Sequence, residues 1–507
     1  MFFPLLYASS HYRLNYLIPR YFRKFPDCIA DIPCRLFRDC SPKLPVLIVI
    51  KDSDKFPVTF LRADVIIGNE KIHYSQKFLP DIKLAIPYYS KIFFAELDPD
   101  INGKINVTVR MEFKTEKGLK VIYNHSYPYM PFETLSCEIR EKKLISDDWY
   151  AGDIHYHSNH TNDQVEFGAD IPSTAVMAKA MGVSWFFVTD HSYDLDDEED
   201  DYLKQSEDFP KWQRMKFECE KYSDDKLTVI PGAETSVGNM NNRNIHLLMS
   251  GNQNYVKGSG DGAEKWFQMQ PEYKHFEAVK YGKPTLAIPA HPFEKAPFLQ
   301  KKLLNRGNWN PEDFDKLAPQ IIQPFNSNNL AKIRKNKKKW IELLLKGKRY
   351  SAVAGNDAHG DFNFTRQITV PFWKIVFSRK QLFGQLMTLV NDRNIIKGLK
   401  SGRIIVSNGA FLNFRLLKNG KKYLINDVVK PGIYKIETEI KSYEKIISVD
   451  VFIGNILAGK EKCVKYNDGM NIELDSSGYV RMEMNTANKG IVITNPIWIE
   501  RDNLCQN

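Results

Sequence analysis

The chain has 507 residues, 43% hydrophobic and 26% charged, which is too long for one ordinary core and suits about two to four domains of roughly 150 residues each. That balance excludes a disordered or fibrous polymer, and with no charge-free apolar run of about 18 residues no transmembrane helix is expected. A formal charge of +10 suits an anionic ligand, nucleic acid or lipid surface, although surplus lysines also serve simply to keep a surface solvated.

The opening MFFPLLYASSHYRLNYLIPRYF is apolar only briefly and has no positive region before it, so it is not read as a cleaved signal peptide. Seven cysteines, an odd number scattered from Cys28 to Cys505, make no disulfide framework. A reducing, cytoplasmic setting is therefore expected. Cys28, Cys34 and Cys40 lack the CxxC pairs and neighbouring histidines of structural zinc and are read as ordinary thiols.

Residues 45 to 145 alternate apolar and polar in short runs (PVLIVI, VTFLRADVII, KIFFAEL, KINVTVRMEF, KVIYNHSY), which predicts an antiparallel sandwich in an N-terminal β-rich domain, 1–145. From 146 to 408 the rhythm changes to a short apolar strand, a polar end and a helical stretch. The strands are YAGDIHYHS, SWFFVTDHS, LTVIPGAETS, NIHLLMSG, TLAIPAHPF, QIIQPFNS and YSAVAGNDAHG. Gly182 and Gly282 stand where left-handed helix caps would fit, and only the link from Ser236 to Asn244 is too short for a helix. Mostly helical crossovers imply a parallel sheet, so the expected fold is α/β, a distorted (β/α)7 barrel with ligands at the C-terminal strand ends. The basic run Arg334 to Lys339 reads as the solvated face of a helix. RIIVSN, YKIETEI, SVDVFIG, YVRMEM and GIVITNPIWI then predict a C-terminal β-sandwich-like domain, 409–507.

The strand ends carry the chemistry. The first offers His155 and His157, two apart and so on one face. The second ends in Asp190 and His191, the third in Glu234, the fourth carries His246, the fifth His291, and the seventh Asp357 and His359. The sixth offers only Gln323 and Asn326. Of eleven histidines, six fall at these ends. Any one of them alone is more often a hydrogen-bonded polar residue than a ligand; jointly they point to a metal centre. Imidazole mixed with carboxylate suits zinc, manganese or iron, and so many donors imply two or three divalent ions, which could activate a shared water for hydrolysis. Asp153 and Asp190 face away from the ligands by strand alternation and are read as supports for them. Arg243 and Arg366 are candidate clamps for an anionic substrate group. Trp185, Phe186 and Phe187 read as packing.

HYHS, VTDHS, PGAE, NIHLL, IPAHP and GNDAH resemble the successive motifs of the PHP (polymerase and histidinol phosphatase) superfamily. GDIHYHS, GRIIVSNGAF and ITNPIWI are similar to its carbaryl-hydrolase-type (CehA/McbA-like) branch. The resemblance covers about residues 146 to 408, with phrases to about 498, and implies a PHP-type barrel. It further implies one ion on His155, His157, Glu234 and Asp357, and a second on Glu234, His246 and His291. A third would sit on His191, His359 and an extra ligand soon after the first motif. There the chain departs from the pattern, reading HSNHTNDQ, so that Asp163 or His160 takes that place.

The reading that follows is a metal-dependent hydrolase, foremost a phosphoesterase or phosphatase using a metal-bridging hydroxide on a small organic phosphate. A carbamate or carboxylic ester hydrolase with the same centre is the alternative. A non-catalytic binding protein with a relic metal site is the reading of another class, against which stands the nearly full ligand set. The partner expected is a small anionic ester. Nucleic acid is disfavoured, because no periodic basic stripe with stacking aromatics is seen.

Overall fold

A computed structural model describes residues 25–126, 132–161, 168–199, 201, 204–258, 260, 262, 269–363, 365–370 and 374–501, with side chains left out at 299, 303, 365–370 and 374–378. Among these residues strand far outweighs helix.

In the strand Gly103–Thr115, Ile105, Val107, Val109, Met111 and Phe113 are buried while the residues between them are half-buried or exposed, the signature of a sheet with one covered face. It pairs antiparallel with Val58–Gly68 and with Leu135–Arg140. A three-stranded layer, Asp27–Asp31, Lys43–Lys51 and Tyr88–Glu96, covers that face, and Val46, Ile48 and Ile50 share one core with Val65, Ile67 and Val107.

The central region corrects the expected α/β barrel. Tyr150–Asp153, Trp185–Val188 and Thr228–Gly238 run parallel side by side as that topology requires, but the succession stops there. Asn244–Ser250 returns antiparallel to Thr228–Gly238, and Leu286–Pro289 is antiparallel again to Asn244–Ser250. On the other side Met387–Val390 enters antiparallel beside Tyr150–Asp153, where a barrel would have closed. The strands Ile321–Phe325 and Ser351–Ala354 form a separate parallel pair. The physical reason lies in the links: a parallel neighbour needs a crossover of a dozen or more residues, whereas the short stretch Asn239 to Arg243 can only turn a hairpin. The result is a thirteen-stranded, largely antiparallel sheet in place of a helix-wrapped barrel.

That sheet continues without a break through Ile404–Ser407 to Ile491–Thr494, Gly478–Thr486 and Ile446–Asn455. Its C-terminal part faces a four-stranded sheet that includes Phe411–Lys418, Gly432–Lys441 and Asn471–Leu474, with Phe414, Ile436 and Leu474 packed against Val451, Val480 and Met482.

The helices that remain obey local signals. Ile171–Ala180 starts where the Asp170 carboxylate accepts the Ser173 N–H at 3.0 Å and stops at Met181, with Gly182 at φ +70°. At the next cap the expectation shifts by one residue: Gly282 is the last helical residue and Lys283 takes the left-handed position, at φ +44°. Leu330–Leu345 buries Ile333, Trp340 and Leu344 on one face. Its basic run is not simply a solvated face, because Asn336 is buried against the Pro324 carbonyl, Lys337 pairs with Glu483, and Lys339 donates to the Phe293 carbonyl at 3.1 Å.

Candidate metal centre

The chain delivers the histidines by abrupt changes of direction. Tyr150–Asp153 ends at Asp153, and after Ile154 and His155 a two-residue strand, Tyr156–His157, pairs parallel with Ala358–His359. His157 thereby stands opposite His359, their rings stacked with centroids 4.3 Å apart and planes within 2°. On the hairpin, Ser236 pairs with His246, so Glu234, two residues from Ser236, shares the face of His246. His291 and Asp357 adopt φ values of +30° and +52°, in the left-handed region. Such strain in non-glycine residues costs about 1–3 kcal/mol each and tends to collect at functional sites.

Glu234 is the hub. Its carboxylate lies 2.7 Å from His246 Nδ1, 3.0 Å from His291 Nε2, 3.1 Å from His191 Nδ1, 3.4 Å from His155 Nε2 and 3.5 Å from His157 Nε2. Asp357 Oδ1 lies 3.1 Å from His157 Nε2 and 3.3 Å from His155 Nε2. All of these side chains are buried or nearly so, with Glu234 only 1% exposed.

Electrostatics divide the two leading histidines. Burial by itself would lower the His155 pKa, but the Glu234 and Asp357 carboxylates outweigh it and raise it to about 9. At His157 burial, joined by the adjacent His359 and His191 rings, pushes the pKa down to about 3 against the pull of Asp357. Burial acts upward on Glu234 and Asp357, yet the surrounding imidazoles hold both carboxyls well below the usual carboxylate range.

Behind the gathered side chains stands a layer of supports. The Asp153 carboxylate accepts from the backbone N–H groups of His155, Asn356 and Gly384 and from Asn356 Nδ2, at 3.2, 3.1, 2.9 and 2.7 Å. Burial nevertheless raises its pKa to about 6. Asp190 receives the Ser158 N–H and hydroxyl, both at 2.7 Å, and the Thr161 N–H at 3.1 Å. Gln323 Oε1 lies 3.0 Å from His155 Nδ1, Gln323 Nε2 donates to Asn326 Oδ1 at 2.8 Å, and Asn326 Nδ2 donates to Asp357 Oδ2 at 3.0 Å. The ligand-poor sixth strand thus braces ligands from its neighbours.

The structure gathers His155, His157, His191, Glu234, His246, His291, Asp357 and His359. Asp163 lies outside the described residues. His160 points elsewhere, its Nε2 set 3.1 Å from Glu218 Oε2 on the helix Pro210–Lys221. Arg366 lies in the strand Thr365–Val370, and its side chain falls outside the description. Arg243 does not face the gathered ligands but lines a neighbouring cavity. Facing the ligands instead, in a cavity of about 550 Å³, are Arg306, Lys335 and Lys332, with Tyr193, Phe293 and Trp309 among the apolar walls. Arg306 hydrogen-bonds the His246 ring, and Tyr193 stacks on His191 with centroids 4.6 Å apart. No sequence motif marks Arg306, since its position depends on how the segment after His291 folds back beside His246.

The donor set itself tests whether metal ions fit. Three overlapping groups, His155–His157–Glu234–Asp357, His191–Glu234–His246 and His157–His191–His359, each have ligating atoms within 4.8 Å of one another. Buried imidazole nitrogens mixed with carboxylate oxygens suit zinc, manganese or iron better than calcium or magnesium. The residues present therefore could hold divalent ions, with Glu234 common to two of the three groups.

No family model matches the chain, and no curated protein matches it. Among solved structures it is similar, at 9% identity and a TM-score of 0.20, to a β-glucuronidase of Parabacteroides merdae, with 94% of this chain and 64% of that one covered. A β-glucuronidase 3 of Bacteroides uniformis gives 9% identity and 0.17 over 93% and 63%. A cycloisomaltooligosaccharide glucanotransferase of a Paenibacillus species gives 8% and 0.18 over 93% and 70%. The chain spans less than two thirds of the length of these β-glucuronidases.

Proposed function

We propose that the chain is a metal-dependent hydrolase that acts on a small anionic ester, foremost a phosphomonoester. The motif resemblance to the PHP superfamily belongs to this reading, without the barrel it implied. The observation that carries the proposal is the ring of imidazoles around Glu234, opening into a cavity that Arg306 and Lys335 also line. Bound divalent ions would supply Lewis-acid activation of a water and neutralise charge on the attacked group.

The chain's own residues do the rest. His155, His157, Glu234 and Asp357 would hold one ion; Glu234 with His191, His246 and His291 would hold a second; His157, His191 and His359 outline a third position. Gln323 Oε1 would accept a hydrogen bond from Nδ1–H of His155, which leaves the Nε2 lone pair for the centre. Asn326 fixes Asp357 through one oxygen and so leaves the other toward the histidines. Arg306 and Lys335 orient the anionic group, which favours a phosphoryl over an uncharged ester. The second reading, a carbamate or carboxylic ester, draws on Tyr193, Phe293 and Trp309 in the same cavity.

Metal analysis of purified protein coupled to a panel of phosphate, sulfate, carbamate and carboxylic esters tests the proposal. Stoichiometric zinc, manganese or iron is expected, with phosphomonoester turnover that His157→Ala and Glu234→Gln each lower at least about a hundredfold. Metal-free protein, or turnover unchanged in both variants, would overturn it.

A further inference from the structure

A second cavity, of about 430 Å³, adjoins the one over the metal ligands, and the two meet at Arg306, Gly307 and Asn308. Its lining includes Arg243, Lys301, Lys302 and Arg306, and no carboxylate lines it among the described residues. Asn239, Asn241, Asn310 and Phe298 also line it, so the space is polar and positively charged along most of its wall.

The wall is built with some definition. Asn239 Oδ1 accepts the backbone N–H groups of Asn241 and Arg243 at 2.9 and 3.0 Å, and its Nδ2 donates to the Asn308 carbonyl at 3.0 Å, which fastens the hairpin turn to the segment after Arg306. At the junction the chain must be glycine: a Cβ on Gly307 would come within 2.6 Å of Arg243 Cβ and 2.9 Å of Asn239 Nδ2. The close approach brings Arg243 beside Arg306, which itself touches His246.

We infer that the binding site extends past Arg306 into this basic cavity, and that Arg243, Lys301 and Lys302 select substrates carrying a second negatively charged group distal to the bond that is cleaved. This inference rests on the hydrolase reading above for the reaction and on the charge of the second cavity for the selection. The ligand class is a small, elongated molecule with an anionic group at each end. One anion belongs over the histidines beside Arg306 and Lys335, and the other belongs among Arg243, Lys301 and Lys302. None of these three residues lines the cavity over the histidines, so they set affinity for one class of substrate without taking part in the chemistry.

The test compares plain alkyl phosphates with the same esters ending in a carboxylate, over a series of chain lengths, for the natural protein, Arg243→Gln and the double variant Lys301→Gln with Lys302→Gln. At the best length the natural protein is expected to show a KM about tenfold lower for the carboxylated ester, a preference that both variants remove while kcat on the plain ester stays unchanged. A binding measurement without turnover runs beside it: calorimetric titration of chelator-treated protein with inorganic phosphate, expected to weaken about tenfold in the double variant. If the hydrolase reading fails, neither ester is turned over but the phosphate titration still separates the variants. If the subsite fails, turnover persists with equal KM for both esters, or the phosphate titration is the same in all three proteins. Inhibition by a single-stranded oligonucleotide at lower concentration than by the carboxylated esters would also overturn it, in favour of a polymeric ligand.

Discussion

His155 faces opposite demands in the two states of the centre. In the metal-free protein its pKa stands at about 9 against an ordinary 6.5, so the stability it contributes is fully present below about pH 6.5 and is lost as the pH rises through 9. His157 works in the other direction, its depressed pKa of about 3 contributing stability that is present above about pH 6.5 and lost as the pH falls. Chelator-treated protein is therefore expected to lose on the order of 3 kcal/mol between pH 6.5 and 9.5, and His155→Gln to flatten that limb, as read from urea midpoints across the interval. Metal affinity should rise over the same interval, because the ion must displace the His155 proton. A flat profile for the natural protein would refute the pairing of His155 with the two carboxylates. At this scale much of the gathered set could be read from the chain, because histidine and acid in HYHS, PGAE and GNDAH fall at the ends of apolar runs. Arg306 could not, since nothing within its own segment records that it comes to rest on His246.

Elements hold the cavity open. The helix Leu330–Leu345 presents Lys332, Lys335 and Asn336 to the cavity and is tied from behind by Lys337 to Glu483, which also binds Arg481. Arg481 is fully buried, donates to both Glu461 oxygens at 2.8 and 2.7 Å, and lies 4.3 Å over the Phe452 ring. Arg481→Ala leaves Glu461 with only the Tyr479 hydroxyl and Glu483 with only Lys337 among these partners and should cost about 3 kcal/mol in a urea titration, and Arg481→Lys should recover little of it because a lysine cannot bridge Glu461 in the same two-pronged way. A loss below about 1 kcal/mol would mean that the network is not what anchors the helix. Strands were legible as elements, since YAGD, WFFV and TVIPGAETS all show their apolar runs, but their directions were not. Periodicity is blind to whether a neighbour runs parallel or antiparallel. Helical links suggested the former, while the insertion of Met387–Val390 beside Tyr150–Asp153 came from a short apolar run that is not among the expected strands.

Over the whole molecule the N-terminal sheets are pinned to the region just beyond the last ligands. Asp31 accepts the Phe362 N–H at 3.0 Å, Asn363 exchanges hydrogen bonds with the Ser136 backbone at 3.0 and 2.7 Å, and Arg35 donates to the carbonyls of Met181 and Gly384 at 3.2 and 2.5 Å. Any ions that the centre holds would bind the folded chain in preference to the unfolded one, so removing them should lower the melting transition of the entire protein. The loss is about 4 kcal/mol at a free concentration a thousand times the dissociation constant, and calorimetry with and without chelator measures it. An unchanged transition in protein shown to hold metal would place the ions outside the cooperative core. The β-rich flanks were legible from alternation, and the way they dock was not, because it depends on single polar residues such as Asp31 that look like turn residues in the chain.

The candidate ligands are spread along the backbone from His155 to His359, with Glu234 between them. During synthesis no shorter nascent segment can own a finished centre: until Asp357 and His359 have emerged from the ribosome, Glu234 and the earlier imidazoles have only part of their company. A nick anywhere between those points would divide the set between two pieces, and recovery of metal affinity on mixing such pieces would report directly on whether they find each other again.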